Sequence, residues 1–262
     1  MRHASIAYYD PPQRPAADVR PDFTALPLTS KPVTVSNMRA AGGGFCLDRE
    51  GFALAVAPTS VTDFYDRDEV ASRYVPEAFE LVRSLTGCQA TGLLSNPVIR
   101  VSERGGPRPA GATFTGDFVH ADFSAAAAAD MVRQNLPPEH AEDRLRGSRF
   151  AVFNVWRAFS GPPQDIPLAL CDTRSVAPGD KQYCEITLGG RTWENITYYH
   201  NEAHRWWYCP DMTRDEVYVF RSFDSAPGHA EQVPHSAFVN ESCPESAPPR
   251  ASIEVRVFAF FD

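Results

Sequence analysis

Apolar residues at Val70, Tyr74, Ala78, Val82 and Leu85 recur at helical spacing through 68–85 with charges between them, so this stretch should be a helix with one face on a core. Gly87 stands where such a helix stops. Segments 92–101 and 113–120 are strand-like, and Ser124 is a natural N-cap for a second helix that opens on the alanine run 125–129 and is interrupted at Pro137 and Pro138. Beyond residue 148 the texture changes to short β-prone runs separated by Pro, Gly and Asp: 150–156, 168–171, 182–188, 193–199, 205–209, 216–220, 231–239 and 252–261. In the last of these, Ile253, Val255 and Val257 fall on one face and Glu254, Arg256 and Phe258 on the other, the pattern of a half-buried strand. Helices first and strands afterwards predict a mainly β protein with flanking helices on a double-stranded β-helix core, jelly-roll or cupin-like.

Six prolines between Pro11 and Pro32 exclude helix interiors and central strands, so residues 1–35 are expected to form an N-terminal arm. Residues 36–262 are then one domain with helical insertions. A chain of 262 residues, 43% hydrophobic and 22% charged, can bury a sizeable core. With 25 Lys and Arg against 33 Asp and Glu the net charge is -8, which disfavours a nucleic-acid partner. No stretch of eighteen apolar residues occurs and the N-terminus has no apolar signal core, so the expected location is cytoplasmic, without a membrane. The six cysteines form no CxxC pair and are expected as free thiols. Gly42, Gly43 and Gly44 lack the Lys-Ser/Thr of a phosphate loop and read as a turn.

The chemistry concentrates around Phe118-Val119-His120-Ala121-Asp122. Period-2 geometry sends His120 and Asp122 to the same side of a strand end, where one imidazole and one carboxylate can meet an ion. A third ligand has to come from elsewhere. His3, His140 and His229 lie in polar or loop sequence, leaving His200, His204 and His235. His235 sits in a strand-like run and is followed fifteen residues later by Arg250-Ala251-Ser252. A distal His followed by Arg-x-Ser resembles the arrangement with which double-stranded β-helix oxygenases anchor the far carboxylate of 2-oxoglutarate, a guanidinium supplying two parallel hydrogen bonds and Ser252 a third. Two histidines and a carboxylate on one face of an octahedron leave three positions open, as non-haem Fe(II) oxygenases require. The competing reading makes His120–Asp122 a strand-end hydrogen-bonded pair, His235 a core residue and Arg250 a surface cation.

The stretches VHADFS (119–124), NVWR (154–157), LALCD (168–172), the Pro210-x-Met212-x-x-Asp215-Glu216 segment and Pro234-His235-x-Ala237-Phe238 together resemble the AsaB-like hydroxylase/desaturase family of non-haem iron enzymes. The resemblance implies Fe(II) on His120, Asp122 and His235, with 2-oxoglutarate and O2 as co-substrates, and C–H oxidation of a small molecule, often in natural-product assembly. Hydroxylation, desaturation and oxidative cyclisation all remain open. Phe123, Ala158 and Ala251 depart from the family pattern and bear on substrate preference rather than on iron.

The same resemblance implies an internal role, at the co-substrate or the substrate, for at least one of Asn154 and Arg157. For Arg157 the alternative is a salt bridge to Asp172 or Asp224. Tyr199, His204 and Trp206 belong to an aromatic cluster that either lines a substrate pocket or fills the core, and His204 competes with His235 as ligand. The long separation of His120 from His235 predicts inserted structure at 124–147 and 190–212, covering the mouth of the site. If the chain assembles with itself, a homodimer is expected. Two further readings compete: an iron oxygenase that does without 2-oxoglutarate, and a non-catalytic cupin-like binding module.

Overall fold

The computed structural model describes residues 1–42, 44–147, 149–188, 190–228 and 232–261. Gly43, His229 and the first residue of the 231–239 run therefore lie outside the described residues. Two sheets carry the fold. The larger has the order β1 (Arg2–Tyr9), β2 (Leu28–Asn37), β12 (Trp206–Tyr208), β9 (Leu168–Cys171), β14 (His235–Ala237), β7 (His120–Ala121), β11 (Arg191–Tyr198) and β10 (Lys181–Leu188). The smaller runs β3 (Phe52–Val56), β13 (Glu216–Asp224), β8 (Arg149–Ala158), β15 (Ala251–Phe261), β5 (Val98–Val101) and β6 (Ala112–Phe114), with β4 (Ala90–Leu93) also paired to β15. This is the jelly-roll architecture the strand spacing predicted.

Early and late strands meet as a jelly-roll requires: β15 pairs with β8 from Ser252↔Ala158 to Phe261↔Arg149, and β14 lies between β9 and β7. Leu168 and Leu170 of β9 pack with Trp156 of β8 and Phe220 of β13, which places one core between the sheets. The helical periodicity at 68–85 is realised by α1 (Arg67–Glu69), a π turn (Val70–Tyr74) and α2 (Val75–Thr86), ending at Gly87 with φ +70°, a conformation glycine adopts without a Cβ penalty. This helix covers the outer face of the smaller sheet, against Phe153, Val155, Ile253, Val255 and Val257.

The alanine-rich helix is α3 (Ala125–Asn135), capped by the Ser124 hydroxyl on the Ala127 amide, and α4 (Pro138–Gly147) follows the Pro137–Pro138 break. Both pack on Phe150, Val152, Phe258 and Phe260 at one end of the inter-sheet space. The segment 190–212 is not a cover: β11 and β12 are members of the larger sheet.

The N-terminal stretch is likewise built into that sheet, and most of its prolines fall in the loop between β1 and β2. Pro32 is tolerated because at its register, opposite Ser5, β2 has only β1 as neighbour; β12 joins it from Val35 onward. The sheet then curls back on itself, with Ala7 bridging Phe118 and its carbonyl accepting from the Val119 amide at 2.9 Å. A second core fills this curl, formed by Ile6, Tyr8, Val119, Ala121, Tyr198 and Trp206 among others. β7 therefore has a buried surface on each side.

Candidate metal centre

His120 and His235 are directly opposed residues of the antiparallel pair β7–β14, so their side chains project from the same face, and the ring centroids lie 4.4 Å apart. Asp122, two residues after His120, joins them, and the ligand atoms of the three side chains all lie within 4.8 Å of one another. Each imidazole has one nitrogen committed to the backbone: Nδ1 of His120 donates to the Phe118 carbonyl at 2.9 Å and Nδ1 of His235 to the Val233 carbonyl at 3.1 Å. Since a carbonyl only accepts, Nδ1 carries the proton and Nε2 keeps its lone pair in both rings.

Burial, with the neighbouring His235 next in weight, pulls His120 down to about 3, and burial likewise lowers His235. Both rings are neutral near pH 7, the form that binds metal. Burial opposes the charge on Asp122, but the Arg256 guanidinium beside it outweighs that and holds the carboxyl well below the usual carboxylate range.

Asp122 is positioned by two partners. Asn154 Nδ2 donates to Oδ2 at 2.6 Å and is itself oriented by the Ser222 hydroxyl at 2.9 Å, while Arg256 Nη2 donates to Oδ1 at 3.0 Å and pairs with Glu254 at 2.7 Å. Each oxygen takes one bond from the protein and so retains a lone pair for an ion. The rings of Phe118 and Phe220 close on His120 and His235 at 5.0 and 4.9 Å, limiting water on that side. Two neutral imidazoles and one ionised carboxylate on a single face form a donor set for one octahedral ion with open positions.

A family model described as "Oxidoreductase/YMDC permease-like domain" matches residues 5–260. The hydroxylase/desaturase CTB9 of Cercospora beticola is 31% identical over 256 residues, covering 89% of this chain and 77% of that protein. The chain belongs to the hydroxylase/desaturase family. A second member, efuI of Hormonema carpetanum, is 31% identical over 267 residues, covering 91% of this chain and 86% of its own. A solved structure titled "iron and alpha-ketoglutarate-dependent endoperoxidase NvfI with different conformation" superimposes with a TM-score of 0.87 at 25% identity, covering 99% of this chain and 98% of the other.

The other expected site residues of this hydroxylase/desaturase divide. Arg250 is enclosed between the sheets with its guanidinium 5.3 Å from the Trp156 ring centroid; Nη1 donates to the Ile166 carbonyl at 2.7 Å and Nε has no partner among the described residues. Ser252 was expected to offer its proton to a ligand. Instead its hydroxyl donates to the Arg100 carbonyl at 3.3 Å and ties β15 to β5. Asn154 faces inward but serves Asp122 rather than a co-substrate.

Arg157 faces the opposite way, because alternation along β8 sends Val155 and Arg157 to the helix-covered side. There it donates to the Ala57 carbonyl at 2.7 Å, to the Arg214 carbonyl and to the Tyr74 hydroxyl at 3.2 Å, and pairs with neither Asp172 nor Asp224.

Tyr199, His204 and Trp206 do not reach the triad. Trp206 shares its core with Val119 and Ala121, which alternate with His120 and Asp122 along β7 and its flanking residues, so it lies on the other side of the strand. His204 has both ring nitrogens occupied, Nδ1 by the Tyr8 hydroxyl at 3.0 Å and Nε2 by Asp180 at 3.1 Å. Tyr199 packs against Tyr9 with the rings tilted at 48° and donates to Gln182 at 3.0 Å.

The residues that sequence reasoning missed are Arg256, Glu254, Ser222 and Arg100. A usable signal was present. A strand flanked by Val, Ile and Phe that carries Glu254 and Arg256 on its second face, directly after the Arg250-x-Ser252 pair, offers that face to an interior where charges need partners.

Proposed function

We propose that this hydroxylase/desaturase is an Fe(II)/2-oxoglutarate-dependent dioxygenase oxidising a C–H bond of a small molecule of the kind handled in natural-product biosynthesis, with His120, Asp122 and His235 as its iron ligands. The observation carrying this reading is the pair of opposed imidazoles whose Nδ1 protons are spent on backbone carbonyls, leaving two lone pairs beside one ionised carboxylate. The printed description of the NvfI structure, dependent on iron and alpha-ketoglutarate, agrees with it.

The residues present also fit the co-substrate. A buried guanidinium that has no ion pair among the described residues and an enclosed Nε without a partner is poised for a carboxylate, since an Nε–Nη edge takes one through two parallel bonds. Burial, then the charge of Arg100, lowers Arg250 to about 9, and a carboxylate at its edge would reverse the cost.

When bound, Fe(II) with 2-oxoglutarate and O2 would supply an oxidant strong enough to take hydrogen from carbon, with 2-oxoglutarate consumed and CO2 and succinate released. The protein's part is positional. His120 and His235 present neutral nitrogens from two adjacent strands; Asn154 and Arg256 fix the plane of Asp122; Arg250, seated over Trp156, would hold the far carboxylate of the co-substrate; Phe118 and Phe220 limit water at the histidines.

No helix among the described residues is long and apolar enough to cross a membrane, and the net charge of -8 gives no general attraction for nucleic acid; both support a cytoplasmic enzyme acting on small molecules. Loading the protein anaerobically with Fe(II) and 2-oxoglutarate and then admitting O2 tests the reading. Succinate should form at least stoichiometrically with iron, even without a substrate. Iron binding with no succinate would move the chain to the oxygenases that take their electrons from substrate.

A further inference from the structure

Three guanidiniums enter the inter-sheet space from β5, β15 and the residue before β15. Arg256 is committed to Asp122 and Glu254, and Arg250 is the one assigned above to the co-substrate. The third is Arg100. Its direction follows from register: Arg100 opposes Ser252 on β15, whereas the neighbouring pair Ile99 and Ile253 goes to the helix-covered core, so Arg100 shares the inward face with Ser252, Glu254 and Arg256.

Arg100 has no ion pair among the described residues. Nη1 makes only two long neutral contacts, to the Phe114 carbonyl at 3.2 Å and the Thr113 hydroxyl at 3.4 Å. Those residues belong to the segment that continues over the metal ligands. A Cβ on Gly116 would meet Cε1 of His120 at 3.3 Å, and the Gly116 carbonyl accepts from the Ala237 amide at 2.9 Å, two residues past His235. Arg100 is half-buried as a residue, and its guanidinium makes exposed contacts at the rim, on the segment whose Gly116 packs against His120. Its positive charge acts mainly on Arg250, where it comes next after burial, and least of the named causes on His120 and His235.

Charge balance makes this side chain informative. Inside the site and at its rim, Asp122 and Glu254 set two negative charges against three guanidiniums, Arg100 being the one at the rim; a divalent ion raises the excess to three, and a doubly negative co-substrate leaves one positive charge unmatched. We propose that Arg100 anchors the substrate and that the substrate is an organic acid with one ionised carboxylate. This rests on the dioxygenase reading above. The acidic surface does not oppose it, because a guanidinium in contact outweighs distant, screened charge.

The test uses the Fe(II)- and 2-oxoglutarate-loaded protein, kept anaerobic, titrated calorimetrically with benzoate, cinnamate and octanoate, each against its own amide. At least one acid should bind about tenfold tighter than its amide, as a charge-assisted pair requires. Arg100→Gln should erase that preference and leave 2-oxoglutarate affinity within about twofold, with Arg100→Lys restoring part of the preference by supplying charge without the planar fork. Three results would overturn the proposal: no acid preferred over its amide, a preference that survives Arg100→Gln in protein with wild-type thermal stability, or a loss of 2-oxoglutarate affinity in Arg100→Gln as large as in Arg250→Gln. The last would place Arg100 in the co-substrate site. Failure of the dioxygenase reading looks different, since 2-oxoglutarate would then not bind the wild-type protein at all.

Discussion

The two faces of β7 are both buried, both aromatic and both hold histidine, yet only one is built for a ligand. On the inner face His120 and His235 each give one nitrogen to a backbone carbonyl and keep the other. On the outer face Trp206 donates to the Tyr8 hydroxyl at 2.8 Å, Tyr8 donates to Nδ1 of His204, and Nε2 of His204 donates to Asp180. That chain is closed within the protein, and its histidine is the opposite tautomer. Burial and residue type therefore do not separate a metal ligand from a core histidine; a lone pair left without a protein partner does.

The sharpest way to break this comparison is to remove one histidine from each face. His235→Ala should lower iron affinity by more than ~100-fold, beyond the range for losing an outer-layer partner of a ligand, and turnover should fall with it while the fold persists. His204→Ala should retain iron and lose stability instead, because it strips partners from buried Tyr8 and Asp180. Iron titration and chemical unfolding of both variants check the pair of outcomes, and an exchange of the two phenotypes would refute the assignment. Arg250→Ala comes next. Iron should load normally, while 2-oxoglutarate binding weakens by on the order of 2 to 4 kcal/mol in an anaerobic titration, the cost of losing a two-bond charged contact.

Smaller again is the support of Asp122. Asn154→Ala removes the bond to Oδ2 and leaves the Ser222 hydroxyl without its acceptor, but Arg256 still holds Oδ1. Iron affinity should drop roughly 10- to 100-fold, as is usual for the layer behind a ligand. Normal affinity in that variant would show that Arg256 alone orients the carboxylate.

How legible this was depended on the kind of constraint. Periodicity located α2 and both halves of the Pro137–Pro138 break, and order along the chain put His120 and His235 on strands that a jelly-roll brings together, with Asp122 just past the first. Proline content misled at the N-terminus, because what decides whether a strand tolerates proline is the number of its neighbours, and β2 has a single neighbour at Pro32. The aromatic segment around Trp206 misled because the sheet curls back on itself through Ala7 and Phe118, a long-range closure that no local pattern encodes. Arg157 and Asn154 lie three residues apart in one motif, and only strand alternation against a known interior tells which faces the metal. Arg256 was hidden by the habit of assigning the charged face of a strand to solvent.

The smallest effect concerns the closed chain on the outer face, and it is read through pH. Burial lowers the pKa of His204 below its ordinary 6.5, with the nearby His200 acting in the same direction and Asp180 pulling against both. A histidine whose folded pKa is depressed is neutral in the native state while the unfolded chain takes up a proton first. The stability it contributes is therefore complete above about pH 6.5 and is lost as pH falls from there through the folded pKa. His204→Gln keeps a side chain that can accept from Tyr8 and donate to Asp180 but cannot titrate. In urea unfolding between pH 7.5 and 5.5, a window about that ordinary value, the wild-type midpoint should fall toward acid more steeply than that of His204→Gln, because only the wild type must keep a proton off a buried ring. If the wild-type midpoint rises on acidification instead, Asp180 outweighs burial and His204 is held as an ion pair. The outer face would then be electrostatic rather than neutral, and the contrast between the two sides of β7 would rest on partner count alone.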